Sequence, residues 1–139
     1  MTIFRDIDAA LDGRLGSMAG LPPVAWENKS YTPAMGTLYL RPTSLPGTNT
    51  QSSLGTNGQD NAIGIYQVDV MAKPGTGKKA STMMADNIAD HFKRGTKLTY
   101  NGCSVRIKGA SRKAGRKTGD GWYMVPVEIE YITFTAARV

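Results

Sequence analysis

The sequence predicts a single α+β domain, in which two main helices pack on one face of a mixed, largely antiparallel sheet of four to five strands. Three observations predict this class. Apolar residues recur every four positions in two segments, they alternate with polar residues in several others, and Asn101-Gly102 separates two β-like runs. The length of 139 residues suits one domain that spans residues 1–139.

Two segments have the periodicity of amphipathic helices. In residues 3–15 the large apolar side chains lie four positions apart, at Ile3, Ile7, Leu11 and Leu15. Residues 78–93 repeat the pattern and end before Gly95, with the apolar line Ala80, Met84, Ile88 and Phe92. Each helix therefore offers one stripe to a sheet.

Four segments favour strands. TLYLRPT at 37–43 predicts a strand that ends near Arg41, and AIGIYQVDVMA at 62–72 alternates apolar with polar positions. KLTYNGCSVRIK at 97–108 predicts a tight hairpin. In WYMVPVEIEYITF, Pro126 cannot donate to a sheet ladder, so this last strand is expected to lie at an edge or to carry a bulge.

Two further segments lack such patterns. Residues 45–61 are mostly Gly, Ser, Thr, Asn and Gln, which predicts a long mobile loop, a hairpin-like excursion that a partner can order. Residues 109–121 form a basic, glycine-rich turn. It contains the densest group of basic residues in the chain, Arg112, Lys113, Arg116 and Lys117.

Charge is distributed unevenly along the chain. The formal net charge is +6, and residues 61–139 hold thirteen basic and six acidic side chains. This imbalance indicates contact with nucleic acid or with an acidic protein partner. The alternative for the basic turn is a solubilising loop.

Enzymatic classes find little support. The chain has one cysteine, Cys103, and one histidine, His91, so a cysteine zinc site is excluded and a Ser-His-Asp or Cys-His unit would depend on a histidine near a helix end. We expect no enzyme activity, no metal and no cofactor. The N-terminal stretch has no continuous apolar core, and a soluble, cytoplasmic protein without membrane contact is expected.

KPGTGKKA at 73–80 superficially resembles a phosphate-binding loop. That motif requires a first glycine and a terminal Ser or Thr, but Ala72 and Lys79 occupy those positions. A simple turn from a strand into the second helix explains the segment. Lys78 and Lys79 then lie in the first helical turn, where positive charge is disfavoured, and contact either water or an acidic group of a neighbouring molecule.

Several phrases together resemble the tail terminator-like family of small proteins from long-tailed phages and prophages: AWENKSYTPAMGTLYLRPTSLPG, GIYQVDV, KPGTGKKA with ADHFKRGT, and GWYMVPVEIEY. The resemblance extends from about Trp26 to Tyr131. It implies a structural virion protein that assembles into a ring, commonly a hexamer, on the head-proximal end of the tail tube. Such a ring stops tube polymerisation and joins the head, and the family has no catalytic residues.

The resemblance implies three partners: other copies of the chain, the tail-tube protein, and a head-completion or connector protein. The expected location is the virion tail, after assembly in the host cytoplasm. A head-tail joining (neck) protein is the first alternative, and a basic module with non-specific DNA contact is the second. The residues predicted to contact partners or neighbouring subunits are Arg41, Asn49, Gln51, Leu54, Lys78, Lys79, Arg112, Lys113, Arg116 and Lys117.

Overall fold

A computed structural model describes residues 2–34, 36–51 and 59–136 of the chain. Its elements, in order, are α1 (Ile3–Gly16), β1 (Tyr39–Gln51), β2 (Gln59–Ala72), α2 (Lys79–His91), β3 (Lys97–Tyr100), β4 (Cys103–Arg112), β5 (Arg116–Lys117) and β6 (Tyr123–Ala136). The strands form one antiparallel sheet of six, one more than the upper number predicted, because β5 is only two residues long. The predicted α+β class is confirmed.

The strand order is β1-β2-β6-β4-β3, with β5 also beside β6. β6 therefore lies in the centre of the sheet, so the first predicted alternative, an edge position, is wrong, and its pairing with β2 continues past Pro126 without the bulge that was the second alternative. Pro126 is tolerated there because β4 ends opposite Val127 and β5 begins opposite Met124. The Pro126 carbonyl accepts the Lys113 N–H at 2.8 Å from that side. Since N–H and C=O of one strand residue point the same way, the missing N–H faces the gap between β4 and β5.

β1 does not end near Arg41, as the sequence suggested, but continues to Gln51 opposite β2. It is an edge strand, so Pro42 and Pro46 remove no ladder bond that the sheet needs, and the register shifts once between Pro46 and Asn49. Of the predicted loop, residues 45–51 and 59–61 thus belong to strands, and residues 52–58 lie outside the described residues. The predicted basic turn likewise contains the end of β4 and all of β5.

The main core lies between the helices and one face of the sheet, which we call the helix face. The predicted stripe of α1 is buried there in full. On α2 the predicted buried line begins one position too early, since Ala80 is exposed and Ser81 is buried. The predicted alternation in β2 and β6 is confirmed: Tyr66, Val68, Val70, Val125, Val127, Ile129 and Tyr131 all belong to this core.

Hydrogen bonds between Arg14 and His91 join the ends of the two helices. Arg14 of α1 donates two hydrogen bonds, at 2.8 and 3.1 Å, to the carbonyl oxygen of His91 at the end of α2. His91 in turn lies 2.6 Å from the Arg14 carbonyl, and since a carbonyl can only accept, Nε2 carries the proton. The histidine is thus a structural residue at the helix end.

The opposite face of the sheet, which we call the open face, is covered at one end. Tyr39, Met71 and Met124 are buried there beneath partly buried Ala25, Tyr31 and Trp122. The Tyr39 ring meets Trp122 edge-on at 5.0 Å between centroids. The segment that contains Ala25 runs beside the start of β1 through a backbone hydrogen bond to Leu40. The other end of this face has no such cover among the described residues.

Gly64 is required where β2 passes Tyr131. A Cβ at this position would lie 2.5 Å from the Tyr131 hydroxyl oxygen and 3.0 Å from the Leu45 carbonyl oxygen. We expect Gly64→Ala to lower the free energy of unfolding by about 1–2 kcal/mol, measured by urea denaturation. The control is Gly13→Ala in α1, which meets no atom within 4 Å. It should stabilise the protein by about 0.5–1 kcal/mol, and equal effects of the two substitutions would contradict the packing at Gly64.

Candidate functional site

Three lysines line a cleft of about 320 Å³ at the start of α2. Lys73 and Lys78 come from the turn between β2 and α2, and Lys117 comes from β5. Tyr123 forms the remaining wall together with two glycines of the turn. We call this feature the lysine cleft. It brings together two predicted contact residues, Lys78 and Lys117, which lie far apart in the chain.

The conformation of the turn places Lys73 and Lys78 on the same cleft. Gly75 and Gly77 have φ angles of 79° and 80°, a left-handed conformation that favours glycine. The Thr76 hydroxyl donates to the Lys73 carbonyl at 2.8 Å, so it closes the turn and does not cap the helix. Lys78 is the N-cap residue, without a side-chain capping bond, and the first turn of α2 has no acidic residue. The segment is therefore a strand-to-helix turn with an electropositive end.

The remaining predicted basic residues do not join the cleft. Arg112 is the last residue of β4 and Lys113 follows it, and both are exposed. Arg116 is exposed in β5 opposite Met124, and Lys79 begins α2. Apart from Arg41, the predicted contact residues include six lysines and arginines. Within the described part of the chain, none of these six side chains has a carboxylate within 4.0 Å. Their charge is thus uncompensated at close range, which suits contact with an acidic molecule.

Arg41 has a role inside the subunit. Its guanidinium lies 3.2 Å from Oδ2 of Asp69, a carboxylate with a side chain only 4% exposed, and it also contacts the Met124 sulfur at 3.2 Å. Gln67 donates to the other carboxylate oxygen at 2.8 Å. Arg41 therefore stabilises the open face, although it was predicted as a contact residue and its side chain remains partly accessible.

The other predicted contact residues fall on the β1–β2 hairpin. Asn49 is exposed and pairs with Ala62, and the Gln51 backbone pairs with Asp60. Leu54 lies outside the described residues. The predicted loop residues on both sides of residues 52–58 therefore belong to the two strands of the hairpin.

An apolar surface that the sequence interpretation missed lies at the uncovered end of the open face. It consists of five residues on three adjacent strands: Leu45, Ile63, Ile65, Ile132 and Phe134. Leu45, Ile63 and Phe134 are 44%, 43% and 49% exposed. We call this set the apolar sheet patch. Contiguous exposed apolar residues of this kind mark interaction sites in soluble proteins.

A second apolar feature lies on the helix face, near the same end of the sheet. It is a cavity of about 230 Å³ between α1 and the β1–β2 hairpin, lined by Phe4, Ile7, Asp8, Pro46, Gly47 and Tyr131. We call it the α1 cavity. Asp8 at its rim is exposed and accepts a hydrogen bond from the Ser44 hydroxyl at 2.8 Å. The apolar sheet patch and the α1 cavity thus lie on opposite faces of one sheet.

Acidic side chains follow the α1 side of the molecule. Asp12 accepts a hydrogen bond of 2.5 Å from the buried Tyr66 hydroxyl. Burial raises the pKa of Asp12 above its usual range, with Asp8 and Glu27 adding to the rise and the Tyr66 hydrogen bond opposing it. Asp6 is buried and accepts a hydrogen bond from Thr2 at 3.1 Å. Asp8 is therefore the α1 carboxylate most available to a neighbour.

The raised pKa of Asp12 predicts a pH dependence. A carboxyl with a raised folded-state pKa favours the folded state most at low pH, and this contribution is lost as pH rises from about 3.8 through the folded-state pKa. Asp12→Asn should therefore gain stability relative to the wild type as pH rises above about 3.8, measured by urea denaturation. Tyr66→Phe removes the opposing hydrogen bond and should widen the pH window. A pH-independent difference between Asp12→Asn and the wild type would contradict this assignment.

Comparisons with known proteins decide the family. Residues 6–131 match the family model of the phage tail terminator protein. The chain belongs to the phage tail terminator family. This family assignment confirms the resemblance found in the sequence, and it makes the protein a structural component of a phage tail, located in the virion tail.

The match to the tail terminator family is accompanied by likeness to solved structures. Ten chains of solved structures match significantly. One of them aligns with a TM-score of 0.74 at 24% identity over 96% of both chains, which shows a shared fold. No curated protein matches the chain significantly.

Metal binding and membrane crossing find no candidate among the described residues. No group of three His, Cys, Asp or Glu side chains is arranged there to hold a metal ion. No helix in the described ranges is long and apolar enough to cross a membrane.

Proposed function

We propose that this tail terminator family protein caps the tail tube as a ring, of the hexameric kind expected from the resemblance, stops tube polymerisation and forms the surface that joins the head. The observation that carries the proposal is the family match over residues 6–131. The proposed partners are other copies of the chain, the tail-tube protein and a head-completion or connector protein. Assembly takes place in the host cytoplasm.

The surface chemistry supports a ring subunit. A heterologous interface needs two different patches on each subunit, and the chain has an apolar sheet patch on one face and an apolar cavity on the other. A ring between a tube and a head also needs surfaces for other proteins. The lysine cleft, with its uncompensated charges, fits an acidic surface of such a partner.

An in vitro polymerisation assay tests the capping function. Purified tail-tube protein is polymerised with and without the wild-type chain, and tube lengths are measured by negative-stain electron microscopy. Capping predicts that elongation stops after addition and that extra density appears at one tube end. Tubes that continue to elongate at the same rate, without end density, would refute capping.

Non-specific DNA contact is a second candidate, because three lysines line one cleft and none of them has a carboxylate within 4.0 Å in the described ranges. Lys73→Gln/Lys78→Gln/Lys117→Gln should then weaken binding to duplex DNA and reduce its salt slope by about one for each phosphate group that the variant no longer binds. The charge-matched control is Lys93→Gln/Arg94→Gln/Lys97→Gln, beyond the other end of α2. Equally weakened binding in the two variants, or no binding by the wild type at low salt, would refute this candidate.

A further inference from the structure

We infer that the apolar sheet patch of one copy packs over the α1 cavity of the next copy, with the Phe134 ring entering the cavity. This inference rests on the proposed ring and names the surfaces that form it. The occupant of the patch is thus a second copy of this chain. Three observations on the two surfaces carry the inference.

The first observation is the placement of the two surfaces. Strand residues alternate between faces, so Ile63 and Ile132, which pair directly, point away from the helices, while Tyr131 points toward them. The apolar sheet patch and the α1 cavity therefore face in opposite directions at the same end of the sheet. A contact between two such surfaces is heterologous, and repeated around an axis it produces a ring when the rotation closes.

The second observation is the fit of size and polarity. Phe134 is the one aromatic member of the apolar sheet patch, and half of its surface is exposed. The α1 cavity has a volume of about 230 Å³ and is lined mostly by apolar side chains. A protein cavity of about 150 Å³ holds a benzene molecule, so a phenyl ring fits within the α1 cavity. Such buried aromatic anchors dominate the binding energy of interfaces.

The third observation is the charge around each surface. Arg106 is exposed and pairs with Ile132, and Lys108 lines the depression that contains Leu45, Ile63 and Ile65. Glu130 lies in the same depression, so the rim beside the patch carries two positive charges and one negative charge. The rim of the α1 cavity carries Asp8. The two rims are therefore complementary in sign, which favours one register of contact.

Substitution of Phe134 tests the contact directly. Phe134→Glu should weaken self-association about tenfold or more, measured by sedimentation equilibrium of the free chain and by end density on capped tubes. The control is Met83→Glu, which places the same charge at an exposed apolar residue of α2. Circular dichroism and urea denaturation confirm that both variants are folded. A folded Phe134→Glu variant that associates as the wild type does would overturn the inference.

Charge reversal supplies a second test that does not alter the apolar residues. Asp8→Lys and Lys108→Glu should each weaken self-association, and the double variant should recover much of the affinity because opposite charges face one another again. Additive weakening in the double variant would overturn the assignment of these rims to one interface.

Disulfide trapping identifies the geometry. In a Cys103→Ala background, the double variant Phe4→Cys/Phe134→Cys should form a ladder of cross-linked oligomers, and neither single variant should form dimers. Dimers of Phe134→Cys alone would show that like surfaces meet, and would overturn the inference. If the wild type caps tubes but does not self-associate in solution or on tubes, the inferred interface is wrong and the capping function stands. If the cross-linked ladder forms but the protein does not cap tubes, the interface stands and the proposed function is wrong.

Discussion

Replacing Phe92 with alanine is expected to lower the free energy of unfolding by about 3–5 kcal/mol. Phe92 follows the last residue of α2, is fully buried, and meets the Tyr66 ring at 5.9 Å between centroids. The substitution leaves a cavity under the end of α2, close to the place where Arg14 binds the His91 carbonyl. Urea denaturation monitored by circular dichroism measures the effect.

Met83→Ala is the matched control for Phe92→Ala. Met83 belongs to α2 but is 56% exposed, so its truncation should change stability by no more than about 0.5 kcal/mol. Similar destabilisation in the two variants would mean that α2 does not bury its Phe92 side on the sheet.

Arg41→Ala is expected to cost about 2–3 kcal/mol, because it leaves the buried Asp69 carboxylate with Gln67 as its remaining side-chain donor. Arg41 is partly exposed, so water replaces some of the interaction and the cost falls below that of a fully buried pair. The free energy of unfolding from urea denaturation checks the value.

A double-mutant cycle separates the ion pair from other effects of Arg41. In an Asp69→Asn background the carboxylate charge is absent, so Arg41→Ala should cost far less than in the wild type. Equal costs in the two backgrounds would show that Arg41 contributes through packing on Met124 and not through Asp69.

The sequence predicted the elements whose signals are local. The apolar stripe of α1 follows from spacing alone, and Asn101 and Gly102, with φ angles of 50° and 81°, form the tight turn that their side chains favour. Pro126 misled the prediction of strand position because proline excludes a ladder bond on one side only. The gap between β4 and β5 that accepts it is a property of the tertiary structure.

The candidate surfaces were predicted less well. Lys78 and Lys117 were identified by charge, but their position beside Lys73 in one cleft depends on the pairing of β5 with β6. A strand of two residues is too short to be recognised in the sequence. The apolar sheet patch did leave a signal. Along the open face of β6, the polar residues Glu128 and Glu130 are followed by Ile132 and Phe134. Apolar residues at consecutive strand positions indicate that both faces of the strand are apolar there.

The open face of this tail terminator family protein differs in cover along its length. One end is buried by the segment that contains Tyr31, the middle is held by Arg41 and Asp69, and the far end exposes the apolar sheet patch. The far end has no cover from other segments in the described part of the chain. The proposed ring contact therefore uses an apolar end of this face that the described residues leave uncovered.

The length of tails assembled in infected cells tests the central claim most directly. Tails from a phage that lacks this protein are compared by electron microscopy with tails from the same phage complemented by the wild-type gene. Termination predicts overlong, unjoined tails without the protein and a single tail length after complementation. Tails of normal length in its absence would contradict the claim, and if such tails also failed to join heads, the protein would act at the neck instead.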